Sequence, residues 1–228
     1  MFSKSIPLFK EAGLKKLASS TVLVFGCGGV GSFAIEALAR SGVGTLIIVD
    51  KDRVEISNIN RQIIALHSTV GALKVDLIEQ RVHDINPSCK VIKHALFYNL
   101  ENKAPVWNQE GIDFVLDAID TVTFKLDIIR EAKARKIKFL TVVGQGNRMA
   151  PEKVTIKELK DTSYDPLAKV IRVKLKKERL LKDTPCVCSE EIPMHFKHQR
   201  RPASNAFVPA TAGLVAASYI VRELIKEC

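Results

Sequence analysis

The sequence predicts an α/β protein: a doubly wound parallel sheet with a basic C-terminal extension. Three observations carry this. Short β-branched runs alternate with amphipathic segments of helical length through residue 143. A glycine-rich turn, Gly26-Cys-Gly-Gly-Val-Gly31, sits between a strand-like run and a helix-like one. An acid, Asp50, closes the next apolar run. Residues 1–150 form the nucleotide-binding part on this reading. Residues 151–228 are expected as an extension packed on it, not an independent domain.

Each element has a local reason. Thr21 to Phe25 is β-branched and apolar, as a strand buried on both faces must be. Ser32 to Arg40 carries Phe33, Ala34, Ala37 and Leu38 on one face and stops before Gly42, a helix pattern. Thr45 to Val49 is a second strand, and Lys51 to His67 a long polar loop. Val70 to Ile85 reads as a helix, with Leu73, Leu77, Ile78 and Val82 at core spacing. Strands follow at 90–95, 113–119 and 139–143, with a helix at 122–136. Beyond Gly144 the spacing predicts a strand at 154–159, a basic helix at 166–177, a short strand at 186–188 and a closing helix at 207–226. Glu190 to Ser204 is polar, basic and proline-bearing, and is expected to be a mobile loop.

Composition sets the outer bounds. The chain has 228 residues, enough for a core that needs no staples, and 46% of them are hydrophobic, which excludes wholesale disorder. The net charge is +10, and all of the excess lies in residues 121–228, because residues 1–120 balance 13 cations with 13 acids. Such asymmetry points to a polyanion partner. Five cysteines in irregular spacing, with no leader-like apolar run after Met1, suit a reducing cytoplasm. The apolar stretch Ala206 to Val221 is short for a membrane span and contains Pro209, so stable membrane insertion is not expected.

The glycine turn supplies the first chemistry. Gly26 allows the tight turn, Gly28 lets the backbone approach phosphate, and Gly31 lets helix and strand pack closely. Asp50 is placed to accept ribose hydroxyls. This much specifies a Rossmann-like adenine-nucleotide site, for which NAD is the default occupant. The run Asp50-Lys-Asp52-Arg-Val-Glu-Ile-Ser-Asn58-Ile-Asn60-Arg61-Gln62, with Lys74 following 13 residues after Arg61, changes that. Two cations and neighbouring amides suit a triphosphate better than a dinucleotide. In Asp117-Ala-Ile-Asp120, Asp120 is the Mg²⁺ candidate, with N-capping of the next helix as its alternative. Asp117 can pair structurally.

These motifs together resemble the E1-like (HesA/MoeB/ThiF) adenylating enzymes. The resemblance implies ATP and Mg²⁺ at Asp50, Asn58, Arg61, Lys74 and Asp120, and attack of a carboxylate on the α-phosphate. Arg61, Lys74 and Asp120 become the catalytic candidates. Gly26, Gly28, Gly29, Gly31, Asp52 and Gln62 complete the nucleotide set. The later segments, among them Val143 to Pro151 and Tyr164 to Lys177, look like the branch that acts on tRNA carrying threonylcarbamoyladenosine. That likeness implies ATP-driven dehydration of the modified base and a homodimer, and leaves a sulfur-transfer protein as a further partner to test. Relatives carry an N-terminal Arg that reaches ATP; Lys4 stands at the corresponding place.

Lys169, Arg172, Lys176 and Lys177 on the basic helix, with Arg200 and Arg201 in the loop, are the nucleic-acid candidates. Three rivals remain open at this level. An activator of a sulfur-carrier protein would use Cys186 or Cys188. A nucleotide-gated RNA-binding module would lack catalysis. An NAD-dependent oxidoreductase would need hydride-side residues that are not evident.

Overall fold

A computed structural model describes residues 2–196, 202–226 and 228. Its centre is a seven-stranded sheet of β1 (Thr21–Phe25), β2 (Thr45–Val49), β3 (Lys90–His94), β4 (Ile112–Asp117), β5 (Lys138–Val142), β6 (Val154–Glu158) and β7 (Pro185–Ser189). The order is β3-β2-β1-β4-β5-β7-β6. All neighbours are parallel except β6 and β7. The chain reverses direction about β1, so a crevice opens between the carboxyl ends of β1 and β4, where open α/β sheets bind ligands.

The central strands β1 and β2 are apolar runs because helices cover both faces, whereas β3 and β6 carry Lys90, Lys93, Lys157 and Glu158 and are only partly buried. Val22 and Val24 enter one core and Leu23 and Phe25 the other, the alternation a period of two demands. The first face carries α1 (Ile6–Ser19), α2 (Gly31–Arg40), α3 (Lys74–Ile85) and α7 (Val208–Ile225). The second carries the single turn α4 (Ala104–Trp107), α5 (Val122–Ala134) and α6 (Pro166–Lys177). Helix α7 is long and apolar enough to cross a membrane. Instead it buries Ala212, Ala216, Ile220 and Leu224 in the core. It approaches α2 so closely that a methyl on Gly213 would overlap the Val30 carbonyl.

Three expectations shift. The third helix begins at Lys74, not Val70, because Gly71 takes φ +90° and residues 71–73 turn back so that Leu73 bridges Arg53. Helix α1 is additional; it is kinked at Lys10, and Gly13 and Leu17 are its buried residues. The described parts of the 190–204 loop are pinned rather than loose. The Glu191 carboxylate accepts the Met149 and Ala150 amides at 2.8–3.0 Å. Asn147 exchanges two bonds with Ala203, and its carbonyl accepts the Met194 amide at 2.8 Å. Residues 197–201, including Arg200 and Arg201, lie outside the described residues.

Helix α6 joins the two ends of the sheet. Its N-cap, Asp165, accepts the Ala168 amide at 2.9 Å and lies against Gly144 at the carboxyl end of β5. Its far end meets the last turns of α5, where Arg130 pairs with Glu178 and Lys133 reaches the Lys182 and Asp183 carbonyls. Twelve residues at 1.5 Å each make this traverse about 18 Å long.

Candidate active site at the carboxyl edge of the sheet

The crevice is a cavity of about 690 Å³. Gly26 turns out of β1 at φ +93°, and a side chain there would come within 2.9 Å of the Ala118 carbonyl. Gly28 and Gly29 line the cavity. Gly31 does not; a methyl there would overlap the Gly26 carbonyl, so this glycine serves strand–helix packing.

Asp50 bridges the glycine turn and the following loop. Its carboxylate accepts the Cys27 amide at 2.7 Å and the Asp52 amide at 2.8 Å. Each oxygen keeps a further lone-pair direction for a hydroxyl donor. Asp52 pairs with Lys74 at 3.0 Å, and Lys74 is only 5% exposed. The polar loop closes into a 3₁₀ turn at Ile56–Asn58, where the Asn58 side chain accepts the Glu55 amide and its carbonyl accepts the Arg61 and Gln62 amides. Asn58 is thus buried as the brace of the turn that presents Arg61 and Gln62. The Arg61 stem packs on Gly29, and one guanidinium nitrogen holds the Ser57 carbonyl at 2.8 Å. Arg61 lines the cavity, and the remaining donors of its planar fork suit phosphate.

The two acids ending β4 separate cleanly. Asp117 is fully buried and pairs with the equally buried Lys125 at 2.8 Å, while Thr141 donates to it at 2.6 Å and the Ile119 amide at 3.3 Å. Burial pushes its carboxyl up, against the pull of Lys125, Thr141 and that amide. It is a brace for the turn at 118–121. Asp120 is exposed on the cavity. The N-cap of α5 is Thr121, which forms no side-chain capping bond, so Asp120 is not used as a cap either. Among the described residues no cluster of three or more metal-ligating side chains exists. A single carboxylate beside a phosphate site is nonetheless a sufficient protein share for Mg²⁺, which keeps most of its oxygens from water and phosphate.

Sequence reasoning missed the opposite wall. Leu96, Phe97, Tyr98 and Phe124 give the cavity an apolar, aromatic side fit for a purine ring. Phe97 meets Phe124 edge-on at 5.0 Å, and the Lys51 ammonium lies 4.3 Å from the Phe97 ring. Tyr98 is fixed from behind by Asp127 at 2.6 Å and by the Trp107 indole at 2.8 Å. Burial and that carboxylate keep its phenol protonated. The segment follows β3 without periodic pattern; its aromatic content alone could have flagged it.

The thiols offer no accessible nucleophile at this edge. Cys27 is buried in the glycine turn, and burial holds its pKa well above the usual thiol value. Cys186 and Cys188 are buried in β7, where the hydrogen bond that Cys186 donates to Cys188, with burial, pushes Cys186 up, and the same bond lowers Cys188.

Of the nucleic-acid candidates, Lys169, Lys176 and Lys177 are exposed and unpaired among the described residues. Arg172 differs. It is half-buried and donates to the Thr162 carbonyl at 2.7 Å and its hydroxyl at 2.9 Å, so it ties α6 to the preceding turn instead of facing outward. Lys4 is exposed, two residues after Phe2, whose ring packs on Gly42. It does not line the cavity of its own chain.

Comparison with known proteins fits this site. A model of the ThiF family matches residues 2–226. A Bacillus subtilis protein named tRNA threonylcarbamoyladenosine dehydratase is 42% identical, over 99% of this chain and 95% of its own. A Haemophilus influenzae protein of the same name is 35% identical, over 96% and 91%. The crystal structure of the Escherichia coli enzyme of that name in complex with AMP superposes with a TM-score of 0.92 at 33% identity, over 99% and 94% of the two chains. Its complex with ATP gives 0.90. With the nucleotide-site geometry and a family match spanning almost its whole length, the chain belongs to the ThiF family.

Proposed function

We propose that the protein is an ATP-dependent dehydratase acting on threonylcarbamoyladenosine in tRNA. The observation that carries this reading is one cavity that gathers Asp50, Arg61, Lys74 and Asp120 at the switch point of the sheet. Near full-length similarity to dehydratases, one of them solved with ATP, supports it.

In this mechanism the aromatic wall takes the adenine, and Asp50 accepts from the ribose. The glycine-turn backbone, Arg61 and Lys74 bind the phosphates. The threonine carboxylate of the modified base attacks the α-phosphorus, pyrophosphate leaves, and an acyl adenylate forms. Arg61 and Lys74 follow the charge that builds on the phosphate oxygens, and gain most in the transition state. Lys74 suits this role because it is already desolvated and paired only with half-exposed Asp52. Asp120 would hold Mg²⁺, which when bound offsets phosphate charge. The ureido group then attacks the activated carbonyl within the same substituent, at high effective molarity. AMP leaves with the former carboxylate oxygen and one ureido proton is released, so the product lacks one water. The exposed lysines of α6 bind the RNA backbone. A homodimer completes the picture: Lys4, which does not line its own cavity, would be supplied to a second copy. No membrane is required, and a cytoplasmic setting suits the tRNA substrate.

The test is ATP–pyrophosphate exchange. Exchange stimulated by tRNA carrying the modification, and absent with the unmodified tRNA, supports the reading. Exchange stimulated instead by a protein with a Gly-Gly tail would replace it with sulfur-carrier activation.

A further inference from the structure

Next to Gln145 and Gly146, which line the cavity beyond β5, several chain segments meet in one hydrogen-bonded hub that forms a rim there. On or next to these segments stand six large exposed side chains, Met149, Tyr164, Ile192, Met194, Phe196 and Phe207, each 41–64% exposed. The hub itself is densely hydrogen-bonded. Arg148, 3% exposed, holds the Glu191 carbonyl at 3.1 Å, the Tyr164 carbonyl at 3.2 Å and the Gly144 carbonyl. Asn205 donates to the Arg148 carbonyl at 2.7 Å and accepts the Phe207 amide at 2.9 Å. The Asn60 side chain ties the Ser204 carbonyl to the phosphate loop at 3.0 Å. Three distant segments are thereby fixed around Gln145 and Gly146, which line the cavity.

We infer that this rim is the platform for unstacked RNA bases, with the aromatic rings of Tyr164, Phe196 and Phe207 as the stacking surfaces. The inference rests on the reading of modified tRNA as substrate and says how it is held. For a substituent on a base to reach the cavity, its nucleotide must leave the stack, and its neighbours then expose their faces. Proteins bind such bases on exposed aromatic rings, while cations track the backbone. Both parts adjoin here. Tyr164 leads directly into α6, which has no acidic residue and presents Lys169, Lys174, Lys176 and Lys177 without ion-pair partners among the described residues. From Lys169 to Lys177 the row runs about 12 Å at 1.5 Å per residue, the span of a few backbone phosphates. The same cations disfavour a symmetric contact of this patch with itself, since the lysines of α6 would then face an identical row.

The experiment measures binding of a fluorescent anticodon stem-loop RNA carrying threonylcarbamoyladenosine to the full chain. Comparators are the same stem-loop without the modification and a blunt duplex of equal length. The variants are Tyr164→Ala, Phe196→Ala, Phe207→Ala and, as an apolar control, Ile192→Ser. Loss of a stacked base should weaken stem-loop binding roughly 5- to 150-fold for at least two of the aromatic variants. Duplex binding, ATP affinity and elution volume should stay as in the parent, with Ile192→Ser within a fewfold. Stem-loop affinity unchanged in all three aromatic variants would overturn the inference while leaving the dehydratase reading intact. A change in elution volume would overturn it in favour of a subunit interface. Failure of the parent to bind or turn over any modified RNA would overturn both.

Discussion

Replacing Lys125 by Met should destabilise the protein more than almost any other single change. Lys125 and Asp117 have no exposed side-chain surface and lie 2.8 Å apart. Met fills a similar volume but leaves the carboxylate buried with Thr141 and one amide as partners. Removing one member of a buried pair costs about 3–5 kcal/mol. At roughly 2–4 °C per kcal/mol for a chain of this size, Tm should fall by about 6–20 °C. Adding Asp117→Asn removes the orphaned charge and keeps the Thr141 bond, so the double variant should recover up to about 3 kcal/mol relative to additivity. The pH dependence has a fixed sign. Without Lys125, the folded pKa of Asp117 lies above its unfolded value. The neutral form is then favoured, and the deficit grows as pH rises through the folded pKa. Urea unfolding followed by the single, buried Trp107 measures this. Losses in the double variant equal to the sum of the singles, or a deficit larger at pH 5 than at pH 8, would refute the reasoning. Because Asp117 also holds the Ile119 amide, Lys125→Met should loosen the turn that carries Asp120 and raise the KM for ATP.

Other expectations follow from the same geometry. Lys74→Met and Arg61→Gln should each lower pyrophosphate exchange at least about 100-fold, as loss of a charge-assisted contact to the reacting phosphate would, with RNA affinity little changed in filter binding. Gly31→Ala should prevent soluble expression, since the methyl meets the Gly26 carbonyl, whereas Gly71→Ala, with nothing within 4 Å, should cost only about 1 kcal/mol for its left-handed backbone. The triple change of Lys169, Lys176 and Lys177 to Ala should reduce the salt slope of RNA binding by about 2. Arg172→Ala should instead lower Tm and leave that slope nearly unchanged.

The glycine turn, Asp50 and Asp120 were legible in the sequence because each lies within a few residues of a strand end, where period and spacing determine position; Arg61 and Lys74, 12 and 25 residues beyond β2, were legible only through the motif that follows Asp50. The central strands were legible because helices on both faces make them apolar runs. The rest depends on contacts distant in sequence. Arg172 shares a helical face with Lys169 and Lys176, yet the Thr162 turn folds back onto it, and no periodicity reports that. The rim hub joins Arg148 to residues 43 and 57 positions away. The start of α3 moved four residues because Gly71 adopts a left-handed turn, one of several roles a glycine before an apolar run can take.

The most direct test of the central claim is a single-turnover reaction with labelled ATP and tRNA bearing threonylcarbamoyladenosine, followed by nucleoside mass measurement. The account predicts one AMP formed per modified nucleoside converted, and a product lighter by one water. AMP formed equally with unmodified tRNA, or ATP consumed while the modified nucleoside keeps its mass, would contradict it.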